Sequence, residues 1–243
     1  MQLKDKVAVV TGAASGFGEA IARRYAEEGA NVVCADLNDQ LGKKVADEIG
    51  GAYVHADVAD RDDVKAMVRT AVDRYGRLDT MVNNAGITHV NRPMLEVGEE
   101  EFDRIFAVNV KAIYLAALEI VPLMREQGGG CIINTASTAG LRPRPGLTWY
   151  NASKGAAITM TKSMAAELGP DNIRVNALCP VAGDTPLLAS FLGANPREAF
   201  EATVPLGRLC TSEDVAKAAL WLASDEASFI TGVAFPVDGG RGV

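Results

Sequence analysis

The sequence is short of the residues that build metal sites, disulfide frameworks and nucleic-acid surfaces. Among 243 residues there are two histidines, His55 and His89, and four cysteines, Cys34, Cys131, Cys179 and Cys210. The cysteines are widely spaced and form no Cys-x-x-Cys pair, so no metal ligand set is expected. They read instead as buried free thiols in a reducing cytoplasm. No basic block occurs: 24 Lys and Arg stand against 31 Asp and Glu, a net charge of −7. That balance argues against nucleic acid or an anionic membrane surface as partner. The most apolar helical stretch, 106–124, carries Asn109, Lys111, Glu119 and Pro122, which suits a buried helix better than a membrane span. The opening residues, MQLKDKVAVVTG, enter a strand pattern at once, without the apolar segment of a signal peptide. No internal repeat and no linker rich in Gly, Pro or Ser divides the sequence. A hydrophobic share of 48% is enough for a packed core and excludes disorder. A single cytoplasmic domain over residues 1–243 is expected.

What is present is alternation. Strand-length apolar runs fall at 7–11, 31–36, 52–56, 80–83, 131–136, 173–178 and 233–237. Between them lie helical patterns at 16–28, 39–49, 62–75, 99–125, 150–168 and 212–224. Most strand runs are continuously apolar, as strands buried on both faces must be. The pattern predicts an α/β fold, a doubly wound parallel sheet with helices on both faces. One irregular stretch, 180–209, holds Pro186, Pro196 and Pro205 and is expected to be a substrate lid.

The first strand runs into Thr11-Gly12-Ala13-Ala14-Ser15-Gly16-Phe17-Gly18 and then a helix. Glycines at such a turn let the backbone approach a phosphate, and the open N–H groups of the helix start attract the anion. Gly12, Ser15, Gly16, Phe17 and Gly18 are therefore candidate cofactor contacts, although a tight turn alone also needs glycine. Asp36, eighteen residues after Gly18 and ending the second strand, suits both hydroxyls of a ribose and would repel a 2′-phosphate. A helix cap is its plainer role. Asp57 and Val58 follow the third strand and suit an adenine edge. Asn84, Ala85 and Gly86 end the fourth, where the crevice of a doubly wound sheet opens. Each of these motifs falls at a strand's carboxyl end.

Tyr150 and Lys154 are four apart on a predicted helix and so share a face. A free phenol titrates near ~10, too high for an efficient base at neutral pH, and an adjacent ammonium favours the phenolate. Ser137 closes the fifth strand, thirteen residues before Tyr150, and its hydroxyl suits the same substrate oxygen. Taken alone, a Tyr and a Lys at this spacing are more often surface packing. Neither histidine has a nucleophile partner at a recognisable elbow, so no rival acid–base set competes.

Taken together, Thr11–Gly18, Asn83–Gly86, Asn109, Ser137, Tyr150-x-x-x-Lys154, Asn176 with Pro180, and Asp238-Gly239-Gly240 resemble a classical short-chain dehydrogenase/reductase over nearly the whole chain. The resemblance implies a catalytic tetrad of Asn109, Ser137, Tyr150 and Lys154, with Asn109 disturbing its helix and holding a water that relays protons from Lys154. It implies that Lys154 also bonds the nicotinamide ribose, that Thr185 meets the carboxamide, and that the chain forms a homotetramer. Pro180, Val181 and Gly183 are expected along the nicotinamide, but the family usually has Pro-Gly where this chain has Pro180-Val181. A β-branched residue there predicts a different loop path.

The implied function is NAD(H)-dependent interconversion of a small secondary alcohol and a ketone, with NAD(H) preferred over NADP(H). The nearest alternative is a 3-oxoacyl-[acyl-carrier-protein] reductase, against which Asp36, and Gln127 and Asp171 at the expected rim, weigh mildly. A non-catalytic nucleotide sensor would not need the proton relay, nor would a methyltransferase need Tyr150 and Lys154 at this spacing. The loop between Ser137 and Tyr150 carries Arg142 and Arg144, each before a proline. They are expected either to hold an anionic part of the substrate or, as surface arginines commonly do, to face solvent or a neighbouring subunit. Trp149, Leu187, Phe191 and Leu192 are expected to make the pocket apolar.

Overall fold

Val7–Thr11 form β1, a strand buried on both faces. A computed structural model describes residues 1–193 and 195–243. In it, β1 is joined by β2 (Asn31–Asp36), β3 (Ala52–His55), β4 (Thr80–Asn83), β5 (Gly130–Thr135), β6 (Ile173–Pro180) and β7 (Ala234–Val237). All pair in parallel in the order β3-β2-β1-β4-β5-β6-β7. The direction of winding switches between β1 and β4, and there a crevice opens at the carboxyl ends.

The helices are α1 (Gly16–Glu27), α2 (Asp39–Glu48), α3 (Arg61–Tyr75), α4 (Glu99–Phe106), α5 (Ala112–Gln127), α6 (Thr138–Leu141), α7 (Thr148–Leu168), α8 (Leu188–Leu192), α9 (Arg197–Glu201) and α10 (Ser212–Ala223). Alternate strand residues serve opposite faces. Ala8 and Val10 of β1 join Ile21 and Tyr25 of α1 and Val215 and Ala219 of α10 in one core layer. Val7 and Val9 join Met67 of α3, Ile120 of α5 and Leu168 of α7 in the other. The sheet is doubly wound, as the apolar runs imply.

Local signals set the ends. Gly29 (φ +89°) follows α1. Thr211 and Asp214 close a reciprocal capping box at the start of α10. The expected continuous helix 99–125 is interrupted by a π-helical turn, Ala107–Lys111, centred on the buried Asn109. By length and composition Glu99–Gln127 is apolar enough to cross a membrane; here Leu115, Ala116, Ile120 and Met124 pack into the core beneath the sheet. All four cysteines are free and buried, and burial pushes the thiols of Cys34, Cys179 and Cys210 up to about 12.

Two expectations are corrected. Gln127 and Asp171 do not border the crevice. Gln127 brackets Leu78 just ahead of β4, accepting from its N–H at 2.9 Å and donating to its carbonyl at 2.8 Å. Asp171 accepts from Arg125 at 2.7 Å just ahead of β6. Both therefore sit at the amino ends of strands, and neither bears on what enters the site. The stretch 180–209 is also less irregular than expected, since it contains α8 and α9. Five-residue helices are too short to show a periodic pattern.

Candidate active site

β1 passes into α1 through Gly12 (φ +66°) and Gly16 (φ +58°), conformations that a Cβ strongly disfavours. Gly18 is needed for a different reason: a Cβ there would collide with the Gly12 carbonyl oxygen. The Thr11 hydroxyl oxygen accepts from the N–H groups of Asn84 and Ala85 at 2.9 and 3.0 Å, and the Asn84 side chain donates to the Thr11 carbonyl at 2.9 Å. These bonds lock the exit of β4 against the glycine turn. Asp36 does likewise from β2, accepting from the N–H groups of Ala14 and Asn38, each at 2.9 Å. A carboxylate has about four lone-pair sites, so Asp36 keeps acceptor capacity toward the crevice.

A cavity of about 600 Å³ runs from this turn to the end of β6. Gly12, Ser15, Gly16, Phe17, Asp36, Asp57, Val58, Asn84, Ala85 and Gly86 line one part of it, and Ser137, Tyr150, Lys154, Pro180, Val181, Gly183 and Thr185 line the other. Gly18 and Asn109 do not face it: Gly18 packs beneath the turn, and Asn109 lies behind Gly86. A dinucleotide fits the donor set: open amides at a helix start for a pyrophosphate, an acceptor at the β2 end for a ribose, and glycine where the backbone must come close.

Asn109 uses its whole amide. It donates to the Ile87 carbonyl at 2.9 Å and the Ser153 hydroxyl at 3.0 Å, and accepts from the Ile87 N–H at 2.9 Å. These long-range bonds fix the Asn109 side chain inside the π turn, a helical irregularity often found at functional sites. A Cβ on Gly86 would lie 3.2 Å from Lys154 Nζ and 3.3 Å from Asn109 Oδ1, so glycine separates the two with no room to spare. A small cavity of about 10 Å³ beside Asn83, Ala85, Asn109, Thr135 and Lys154 matches the volume one water needs.

Tyr150 is 6% exposed and Lys154 4%. The Lys154 ammonium donates to the Thr135 carbonyl at 2.7 Å and lies 5.8 Å from the Tyr150 ring centre. Burial pulls its pKa down from 10.5 to about 8. Burial likewise pushes the Tyr150 phenol up to about 12, and the groups that oppose this are the Ser137 hydroxyl and the Arg144 guanidinium. The expected depression of the phenol by Lys154 is thus not what this arrangement produces. Desolvation dominates, and the cation that draws the phenol back down is Arg144. The Ser137 hydroxyl also accepts from the Ala139 N–H at 3.1 Å and donates to the Pro180 carbonyl at 3.3 Å.

The loop after β6 resolves the Pro-Val departure. The Val181 N–H donates to the Val237 carbonyl at 3.1 Å, so the chain simply stays extended beside β7. Glycine is required two residues later, where a Cβ on Gly183 would run into the Phe17 ring. Thr185 packs against Gly16 across the cavity mouth.

Leu187 and Phe191 line the substrate end, as expected, with the Phe191 ring 5.1 Å from that of Tyr150. Trp149 and Leu192 do not. Adjacent helical residues point about 100° apart, so Trp149 turns away from the site toward Phe102 and donates to the Met94 carbonyl at 3.1 Å. Arg142 and Arg144 both line the cavity rather than only facing solvent, together with Arg104, Phe200 and Arg241. The last three carry no local signal in the sequence.

The fold and cavity define an α/β domain built to hold a dinucleotide. A family model described as enoyl-(acyl carrier protein) reductase matches residues 12–241. Over the full length of both chains, the protein is 47% identical to the 4-formylbenzenesulfonate dehydrogenase TsaC1/TsaC2 of Comamonas testosteroni. It is 40% identical to the 3-oxoacyl-[acyl-carrier-protein] reductase FabG of Thermotoga maritima, covering 99% of each. The crystal structure of a 3-ketoacyl-(acyl-carrier-protein) reductase from Brucella melitensis complexed with NADH superposes with a TM-score of 0.96 at 46% identity, over 99% of this chain and 100% of that one. The chain belongs to the classical short-chain dehydrogenase/reductase family.

Proposed function

We propose that this protein is an NAD(H)-dependent oxidoreductase that interconverts a secondary alcohol and a ketone, with Asn109, Ser137, Tyr150 and Lys154 as its proton relay. The observation that carries this is the buried Tyr150 phenol, beside Ser137 and Lys154, in the same cavity that begins at Asp36. When bound, the nicotinamide supplies or accepts the hydride. Gly12, Ser15 and Gly16 would hold its pyrophosphate, Asp36 its adenosine ribose, and Lys154 and Thr185 its nicotinamide end. In carbonyl reduction the neutral phenol gives its proton to the substrate oxygen while the Ser137 hydroxyl fixes that oxygen. In alcohol oxidation the proton returns to Tyr150, and Ser137 and Arg144 are the groups that favour the phenolate. Lys154, titrating near 8, passes protons through the one-water cavity beside Asn109. Asp36 supports NAD(H) over NADP(H), because no Lys or Arg stands between Ala14 and Gly16 to meet a 2′-phosphate. The segment 180–209 acts as the lid, and the chain assembles as a homotetramer, which light scattering reads directly.

A second reading, reduction of 3-oxoacyl thioesters on a carrier protein, draws on the relatives of that activity and on the exposed Arg104 and Arg142 at the cavity mouth. A panel of ketones, alcohols and acyl thioesters, followed at the reduced-nicotinamide absorbance with both cofactors, separates the two. Tyr150→Phe should lower kcat by about 10²–10⁴ with NADH binding retained. If the variant kept most of its turnover, Tyr150 would not be the proton carrier.

A further inference from the structure

The cavity's charge is divided by position. Its two acids, Asp36 and Asp57, lie at the carboxyl ends of β2 and β3 and Arg104 is exposed at the mouth, whereas Arg142, Arg144 and Arg241 gather beyond Tyr150. Of the twelve arginines outside this group, eight pair with carboxylates (Arg23, Arg24, Arg61, Arg77, Arg92, Arg125, Arg197 and Arg208). Among the described residues, none of Arg142, Arg144 and Arg241 has a carboxylate within ion-pair distance. The acid whose charge acts on Arg241 is Asp238, and its two oxygens accept from the N–H groups of Gly240 and Gly242 at 3.0 and 2.7 Å.

Arg144 and Arg241 approach one aromatic ring. Their guanidinium carbons lie 5.2 and 4.6 Å from the centre of Phe200, which is 8% exposed. Arg144 is half-buried and, among the described residues, its side chain donates only to the Phe191 carbonyl, at 3.4 Å; Arg241 donates to the Thr203 hydroxyl at 2.8 Å. Neither contact uses the bidentate fork of a guanidinium. Burial and mutual repulsion pull the Arg144 pKa down. Two unpaired cations held close in a partly dry cavity, in a protein of net charge −7, are a standing electrostatic cost that a bound anion removes.

We propose that Arg144 and Arg241 form an anion-binding end of the substrate pocket, so that the substrate carries a carboxylate, sulfonate or phosphate remote from its reacting carbon. Phe191 and Phe200 seat the apolar body, and Tyr150 faces the oxygen at the other end. Both arginines lie inside the cavity, so the anion belongs to a small molecule rather than to the surface of an acidic protein. The position of the reacting carbon rests on the oxidoreductase reading; the anion end does not.

The test uses a non-reacting pair, benzoate and its neutral analogue benzamide, binding to the wild-type protein with NAD⁺ present. Benzoate should bind at least about tenfold more tightly. Arg241→Met and Arg144→Met should each erase most of that preference, and Arg241→Lys should restore part of it. Equal binding of the pair, or a preference that survives in both Met variants, overturns the proposal. Reduction of 4-acetylbenzoate is then compared with that of its methyl ester, using NADH. If neither ketone reacts while benzoate binding depends on the arginines, the reaction class falls and the anion end stands. If both react with equal kcat/KM and benzoate has no advantage, the reverse holds.

Discussion

Lys154 can be tested by making the protein more stable at the expense of its chemistry. In the folded chain its ammonium is 4% exposed, has one hydrogen bond, to the Thr135 carbonyl, and titrates near 8 rather than 10.5. At ~1.4 kcal/mol for each tenfold change in proton affinity, holding it charged at pH 7 costs about 3 kcal/mol of folding free energy. Lys154→Met removes that cost and forfeits a hydrogen bond worth ~1 kcal/mol, so the cofactor-free variant should gain about 2 kcal/mol. In a chain of this size that raises Tm by roughly 4–8 °C at pH 7. Because the folded pKa lies below the unfolded one, the penalty is full below pH 8. It fades as pH rises toward 10.5. The gap between variant and wild type should therefore close to near zero at pH 10. Thermal melts of both proteins across pH 7–10, without cofactor, read this directly. A variant no more stable than wild type at pH 7, or a gap independent of pH, would refute the claim that Lys154 is held charged against burial.

Two further outcomes follow from the cofactor side. Wild-type kcat/KM should be higher with NADH than with NADPH, and Asp36→Ser should move the ratio toward NADPH by about tenfold, from loss of the carboxylate's repulsion of a phosphate; a wild-type preference for NADPH contradicts this. Gly18→Ala should destabilise by ~1–3 kcal/mol, because the overpacked methyl meets backbone. A helix interior ordinarily rewards that change by about 1 kcal/mol, so the sign of the shift in urea midpoint decides the matter.

The sheet was legible in the sequence because strands such as Val7–Thr11 are buried on both faces and leave continuous apolar runs. The cofactor motifs were legible because each sits at the end of such a run. The substrate end was not. Phe200 and Arg241 reach the cavity only through the folding of segments far from Tyr150, and neither belongs to a pattern with a period. The titration of Tyr150 is hidden for a related reason: helical spacing reports that Lys154 is near but says nothing of how dry the pair is. Asn109 showed as an amide in an apolar helix, yet its partners are Ile87 and Ser153, which spacing along the helix does not reveal.

The strand order also bears on how the sheet is assembled as the chain is made. β1 takes β2 on one side and β2 takes β3, after which that edge receives nothing more. β4 then joins the free side of β1, and β5, β6 and β7 each add to the strand before them. A chain emerging amino end first thus extends its sheet at one open edge, and no strand has to enter between two that are already paired. The pairing of β1 with β4 is the one step that joins strands not consecutive in the chain. The glycine turn and Asp36 lie in the part laid down before it, and Arg241 follows β7, so the two ends of the cavity are completed at opposite ends of synthesis.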